Sequence, residues 1–187
     1  MIISLENAKK IDKDISQSDL DALEVMIRST THNPFLDASV RNTGFFVSTG
    51  DTLNFNNDHG TKYLRTGDTV MLADTRTPDS NGKPINDGLY QVESVNGNTV
   101  TLQKPIDLFN EEHLNGLLAK VSYPADVIAG VKKLIEYNVK TADNIGIKSR
   151  TIARMSETYV DVNAGDNING YPSAMLSFLK RYTKLRW

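Results

Sequence analysis

Cysteine is absent from the 187 residues. That excludes a disulfide framework, a thiolate metal site and a cysteine nucleophile, and leaves the redox compartment open. Apolar runs of the ~18 residues needed for a membrane-spanning helix are absent as well. The opening MIISLENAKKID turns charged after Leu5 and has no apolar segment of secretory length. Aromatic residues are sparse at 7%, with a single Trp, and neither sign of charge dominates the formal net of −2. What remains is an ordinary globular composition, 39% hydrophobic and 24% charged, which argues against disorder. A chain of this length buries roughly 70% of its unfolded surface, enough for a real core.

The near-zero net charge is a sum of unlike parts. Residues 1–125 hold 11 Lys and Arg against 17 Asp and Glu, and residues 126–187 hold 10 against 6. The stretch KRYTKLRW (180–187) carries four basic side chains and no acidic one. Basic residues there suit a helix C-terminus or a solvated face, and equally a partner surface.

The texture changes twice along the chain. Ser18 is placed to cap a helix over DLDALEVMIRST, with Leu20, Leu23, Met26 and Ile27 on one face and Asn33-Pro34 ending it. From Asn42 the sequence becomes rich in Gly, Asn, Asp and Thr. The runs GFFVSTG, DTVMLAD, GLYQVESV and NTVTLQK read as short strands. Asn96-Gly97-Asn98 is a tight hairpin signal, and PDSNGKPINDG a long polar loop. At Pro124 helical periodicity returns, with Val127, Ile128, Val131, Leu134, Ile135 and Val139 on one stripe. A last helix is expected from Tyr171-Pro172, with Met175, Leu176, Leu179 and Tyr182 as its apolar face. The fold class expected is α+β: a small helical bundle (1–41 and 122–187) interrupted by an antiparallel, barrel-like strand domain (42–121).

Catalytic and metal-binding patterns do not emerge. His32, His59 and His113 are scattered without an HExxH relation. There is no GxxxxGK[ST], no GxGxxG and no GxSxG. Glu111 and Glu112 are adjacent and point apart, so they form no acid–base pair. The run DVNAGDNING offers Asp161, Asn163 and Asp166 as oxygen donors, but Asp166 and Pro172 stand where a calcium loop needs Gly and a bidentate Glu. A polar loop meeting a partner is the better reading of Asp161, Asn163, Asp166 and Asn167. Lys148, Arg150 and Arg154, with 180–187, could meet nucleic-acid phosphates, though no base-reading motif accompanies them. Leu185 and Trp187 beside Arg186 suggest a docking anchor or a segment that packs back on its own helices. Phe45-Phe46 and Leu89-Tyr90 could line a sugar platform, or be strand core.

From Pro124 onward the chain resembles the head–tail connector (adaptor, or head-completion) proteins of long-tailed bacteriophages. The resemblance rests on the helix PADVIAGVKKLIEYNV and on Ile147, Ser149, Ile152, Ser156 and Tyr159 in GIKSRTIARMSETY. It also rests on the ending with Leu179, Lys180, Tyr182 and Leu185. The opening MIISLENAKKID with SQSDLDALEVMIRST is similar too. The 42–121 segment departs from the family's plain helical pattern and reads as an inserted decoration.

The resemblance implies a structural virion protein without enzymatic activity, metal or cofactor, assembled in the host cytoplasm and residing at the head–tail interface. It implies a closed ring of about twelve copies built by heterologous contacts. The ring would lie below the portal protein, extend the DNA channel and offer a platform to a stopper or tail-completion protein. Portal docking is expected of Lys180, Arg181, Tyr182, Lys184, Leu185, Arg186 and Trp187. Channel-facing, non-specific DNA contact is expected of Lys148, Arg150 and Arg154, and a tail-side loop of Asp161, Asn163, Asp166 and Asn167. No membrane contact is implied. The reading from a different class is a carbohydrate- or protein-binding module carried by the strand insertion.

Overall fold

The computed structural model describes residues 1–103, 106–142, 149–152, 155–158 and 167–185. Helices and a large antiparallel sheet are both present, so the class is α+β. The chain divides into two compact units, Met1–Asn33 with Tyr123–Trp187, and Pro34–Ser122. The expected boundary at 42 therefore falls inside a strand. β1 runs Leu36–Ser48 and pairs with the distant β6 (Glu112–Val121), Leu36 opposite Val121 and Arg41 opposite Ala119. The first half of β1, LDASVR, carries a mostly solvated pattern without the Gly and Asn punctuation that begins at Asn42, so pairing rather than composition decides its place. The two ends of this unit lie side by side, the Ser122 N–H donating to the Phe35 carbonyl at 2.8 Å.

Between β1 and β6 lie β2 (Thr52–Phe55), β3 (Thr69–Ala73), β4 (Gly88–Asn96) and β5 (Thr99–Leu102). The pairing order is β1-β2-β5-β4-β3-β6, and β6 returns to β1, so every strand has two hydrogen-bonded neighbours. Among the described residues, no strand of this sheet is an edge strand along its whole length, although β2 pairs only with the Phe45–Ser48 part of β1. The β4–β5 turn is Gly97-Asn98, with Asn96 opposite Thr99 and Gly97 at φ +58°. Alternation sends Phe45, Val47, Leu53, Phe55, Val70, Leu72, Val92, Val100, Leu102 and Leu118 into one buried core. Gly116 is required by that core: a Cβ there would lie 2.7 Å from the Phe45 ring and 2.7 Å from the His113 Cβ.

In the helical unit, α1 is Leu5–Lys9, α2 Gln17–Thr31 and α3 Ala125–Thr141. The cap of α2 is Ser16, not the expected Ser18. Ser16 and Asp19 exchange hydrogen bonds as a capping box. Both serines have an Asp three residues on. Only Ser16 also puts apolar residues, the buried Ile15 and Leu20, at the two hydrophobic-staple positions flanking the cap. His32 terminates α2 in the left-handed region at φ 49°. On α3, with Pro124 at its N-cap, Val127, Val131, Leu134 and Ile135 are buried, while Val139 is 47% exposed.

The expected last α-helix is instead a 3-10 helix, Ser173–Tyr182. Its buried Leu176 and Leu179 continue to the half-buried Tyr182 at every third residue, with the half-buried Met175 and Phe178 one position before them at the same spacing, the period of a 3-10 turn. The remainder of this unit adds ladders rather than a third long helix: β7 (Ser149–Ile152) with β8 (Met155–Thr158), and β9 (Asn167–Ile168) with β10 (Tyr171–Pro172). Thr151 and Ile152 are β-branched and favour extended backbone. The described residues thus show α1, α2, α3 and a 3-10 helix, with short strand ladders between α3 and the 3-10 helix, where a helical bundle was expected.

Candidate functional site

The helical unit contains an open groove of about 730 Å³ along α2. The capping box that starts α2 fixes one end of it. The Asp19 carboxyl lies below the usual carboxylate range because it accepts hydrogen bonds from the Ser16 hydroxyl and backbone. Asp12 turns the preceding loop by accepting the Asp14 N–H at 3.0 Å. Asp12, Asp14 and Asp19 therefore line this end as a group. Ile15, Leu23, Met26 and Ile135 supply apolar surface, with Ala22 and Val25 beside them. Asn138 and Tyr171 also line it, the Asn138 amide donating to the Tyr171 hydroxyl at 2.8 Å.

The basic 180–187 segment leaves the same unit. Tyr182 donates its hydroxyl to Asp126 at 2.7 Å, and the Arg181 guanidinium pairs with Asp126 at 2.7 Å while lying 4.8 Å over the Tyr182 ring. These contacts, the Tyr182 hydrogen bond foremost, hold the Asp126 carboxyl below its usual range. The Asn33 amide donates to the Tyr182 carbonyl at 3.1 Å, and the Lys184 N–H to the Thr31 carbonyl at 2.8 Å. Tyr182, expected to meet a partner, is thus held by α3 and by Asn33 just after α2, and Arg181, expected to do the same, pairs with α3 while its side chain stays 66% exposed. Lys180, Lys184 and Leu185 also have exposed side chains, Leu185 at 77%.

Of the other expected site residues, Arg150 has its backbone in β7 opposite Glu157, and Asn167 lies in β9 opposite Pro172. Lys148, Arg154, Asp161, Asn163, Asp166, Arg186 and Trp187 lie outside the described residues.

One arrangement in the strand unit was not foreseen. Asn86 is 1% exposed and clamps the loop before β6: its Oδ1 accepts the Phe109 N–H at 2.9 Å and its Nδ2 donates to the Phe109 carbonyl at 2.9 Å. That fixes the amide orientation, so the second Nδ2 hydrogen points at His113 Nε2, 2.8 Å away. His113 is 1% exposed, against Phe45, and its Nδ1 has no hydrogen-bond partner. Burial lowers its pKa, against the opposing charges of Glu111 and Asp87. His113 is therefore a core histidine held neutral; His32 caps α2, and His59 is exposed in a loop. No sequence signal distinguished His113, because the burial pattern of β6 is not a clean alternation.

Of the residues suggested for a sugar platform, two turn toward the core. Phe45 is 3% exposed and in the core, and Tyr90 is partly buried with its hydroxyl donating to the Asn86 carbonyl at 3.1 Å. Phe46, at 49%, and Leu114, at 75%, are the exposed apolar residues of β1 and β6. Among the described residues, no three His, Asp or Glu side chains converge as metal ligands, and no helix is long and apolar enough to cross a membrane.

No family model matches the chain, and no curated protein matches it.

Proposed function

We propose that this chain is a head–tail connector (adaptor) of a long-tailed bacteriophage. In this reading it is a non-enzymatic subunit that forms a ring below the portal, extends the DNA channel and carries the stopper or tail-completion protein. The helical unit is the connector proper, and the strand unit is a barrel-like insertion. The observation that carries the reading is the way the motif-bearing ends come together. The opening helix and the residues after Pro124 form one compact unit. That unit holds the 3-10 helix through Asp126, Asn33 and Thr31 and leaves Lys184 and Leu185 exposed. A self-contained unit with a presented basic, apolar segment is suited to repeated subunit contacts, and the insertion can decorate it because its two ends are adjacent.

A second reading keeps the helices as a mount and gives the work to the strand unit as a protein-binding module. The exposed Phe46 and Leu114 favour it.

The test is electron microscopy of the purified chain mixed with the portal protein of the same phage. Ring-shaped caps seated on portal rings are the expected outcome. Absence of any portal complex, with intact folded chain in the mixture, overturns the connector reading.

A further inference from the structure

The α2 groove is apolar within and acidic at one end, and no Lys or Arg is among its described lining residues. Val25, on its border, is 64% exposed, a large apolar side chain on an otherwise amphipathic helix. The 180–187 segment has the reverse make-up: four basic side chains, no acidic one, and the apolar Leu185 and Trp187. We propose that the groove receives the Leu185-Arg186-Trp187 stretch of a second copy of this chain. The Leu185 and Trp187 side chains cover Ile15, Val25 and Met26, and Arg186 meets Asp12 and Asp14.

A groove of about 730 Å³ lies within the size range of sites that enclose ligands of this bulk. Trp and Arg are the side chains that most often anchor such contacts. The chain's own segment reaches only the Val25–Ser29 end of the groove, so bringing Arg186 to Asp12 and Asp14 at the acidic end takes a second copy. The Lys184 N–H is tied to the Thr31 carbonyl at the end of α2. Asp19 lies twelve residues back along that helix, about 18 Å at ~1.5 Å per residue. The three residues 185–187 extend over about 10 Å. Segment and groove are different surfaces, so the contact is head-to-tail: it propagates, and it closes as a ring when the rotation allows. The inference deepens the connector reading and rests on it for ring closure, while the contact itself can be tested without a portal.

The experiment is an NMR titration of the isotope-labelled full chain with the peptide KRYTKLRW. It is repeated on Val25→Lys and Asp14→Lys chains, both altered at exposed positions, with their own spectra confirming the fold. We expect shifts at Ile15, Val25 and Met26, and binding at least tenfold weaker in each variant. Binding should also weaken severalfold on going from low to physiological salt, as exposed charge pairs are screened. Shifts that map elsewhere, no shifts at millimolar peptide, or equal binding by both variants overturn the proposal. So does own-chain occupation, which would appear as tenfold tighter peptide binding by a Trp187→Ala chain even at concentrations where light scattering shows the wild-type chain to be monomeric. Peptide binding without portal capping removes the connector reading and leaves the groove contact standing; portal capping without peptide binding does the opposite.

Discussion

Gly130→Ala in α3 should destabilise the protein, against the ordinary expectation for a helix interior. In a free helix this change gains about 1 kcal/mol, because glycine leaves the backbone too much freedom in the unfolded chain. Here the face of the Phe178 ring lies on the glycine, and a new Cβ would fall closer than 3.0 Å to Cζ, Cε1 and Cε2. The ring belongs to the 3-10 helix and would have to move outward, an overpacking cost of about 1–3 kcal/mol. The net expectation is therefore between neutral and about 2 kcal/mol of destabilisation, given a gain of about 1 kcal/mol set against that cost. In a Phe178→Ala background the obstruction is gone, and the same substitution should stabilise by about 1 kcal/mol. The two sites should thus couple by about 1–3 kcal/mol in a double-mutant cycle. Thermal unfolding followed by far-UV circular dichroism resolves this, since 1 kcal/mol moves Tm by about 2–4 °C in a chain of this size. Stabilisation by Gly130→Ala to the same extent in both backgrounds would refute the reasoning. The contact bears on function because the 3-10 helix that it seats leads directly into the exposed Lys184 and Leu185.

Two further outcomes follow from the strand unit. His113 has a pKa lowered by burial, so the unfolded chain takes up its proton first as pH falls. Its contribution to stability is complete above the unfolded value of about 6.5 and is lost as pH drops through the lower folded value. Protonation would also turn Nε2 into a donor facing the Asn86 Nδ2 donor. Urea midpoints should fall from pH 7 to pH 5, and His113→Gln should flatten that slope; an unchanged slope sinks the assignment. Gly97→Ala forces an L-residue into the left-handed turn at φ +58° and should cost about 1 kcal/mol, with Gly97→Asn milder. Equal urea midpoints for the wild-type and Ala chains would show that the turn relaxes.

The exposed and the local parts of this molecule were the legible ones. Helix α3 is readable because its apolar stripe repeats every three to four residues and Pro124 marks its start. The β4–β5 hairpin is readable because Gly97-Asn98 supplies the required turn backbone. Strands β2 and β6 were missed: TLNF is very short, and EHLNGLLAKV holds Gly, Asn and Leu where β-branched residues would announce a strand. Yet β6 is the strand that pairs with both β1 and β3 and closes the circuit. Its place depends on partners some seventy positions away, which no local pattern encodes.

Composition and periodicity determined that this chain lacks thiol chemistry, alternates between helical and extended texture, and concentrates positive charge after residue 126. Tertiary structure decided which of those features face each other. It selected Ser16 over Ser18 because only Ser16 places two apolar residues around the cap. It paired Arg181 and Tyr182 with Asp126, buried His113 beside Asn86, and gathered residues from Asp12 to Tyr171 around one groove. Such choices rest on burial and on contacts between distant segments, free-energy terms that exist only once the chain has closed on itself.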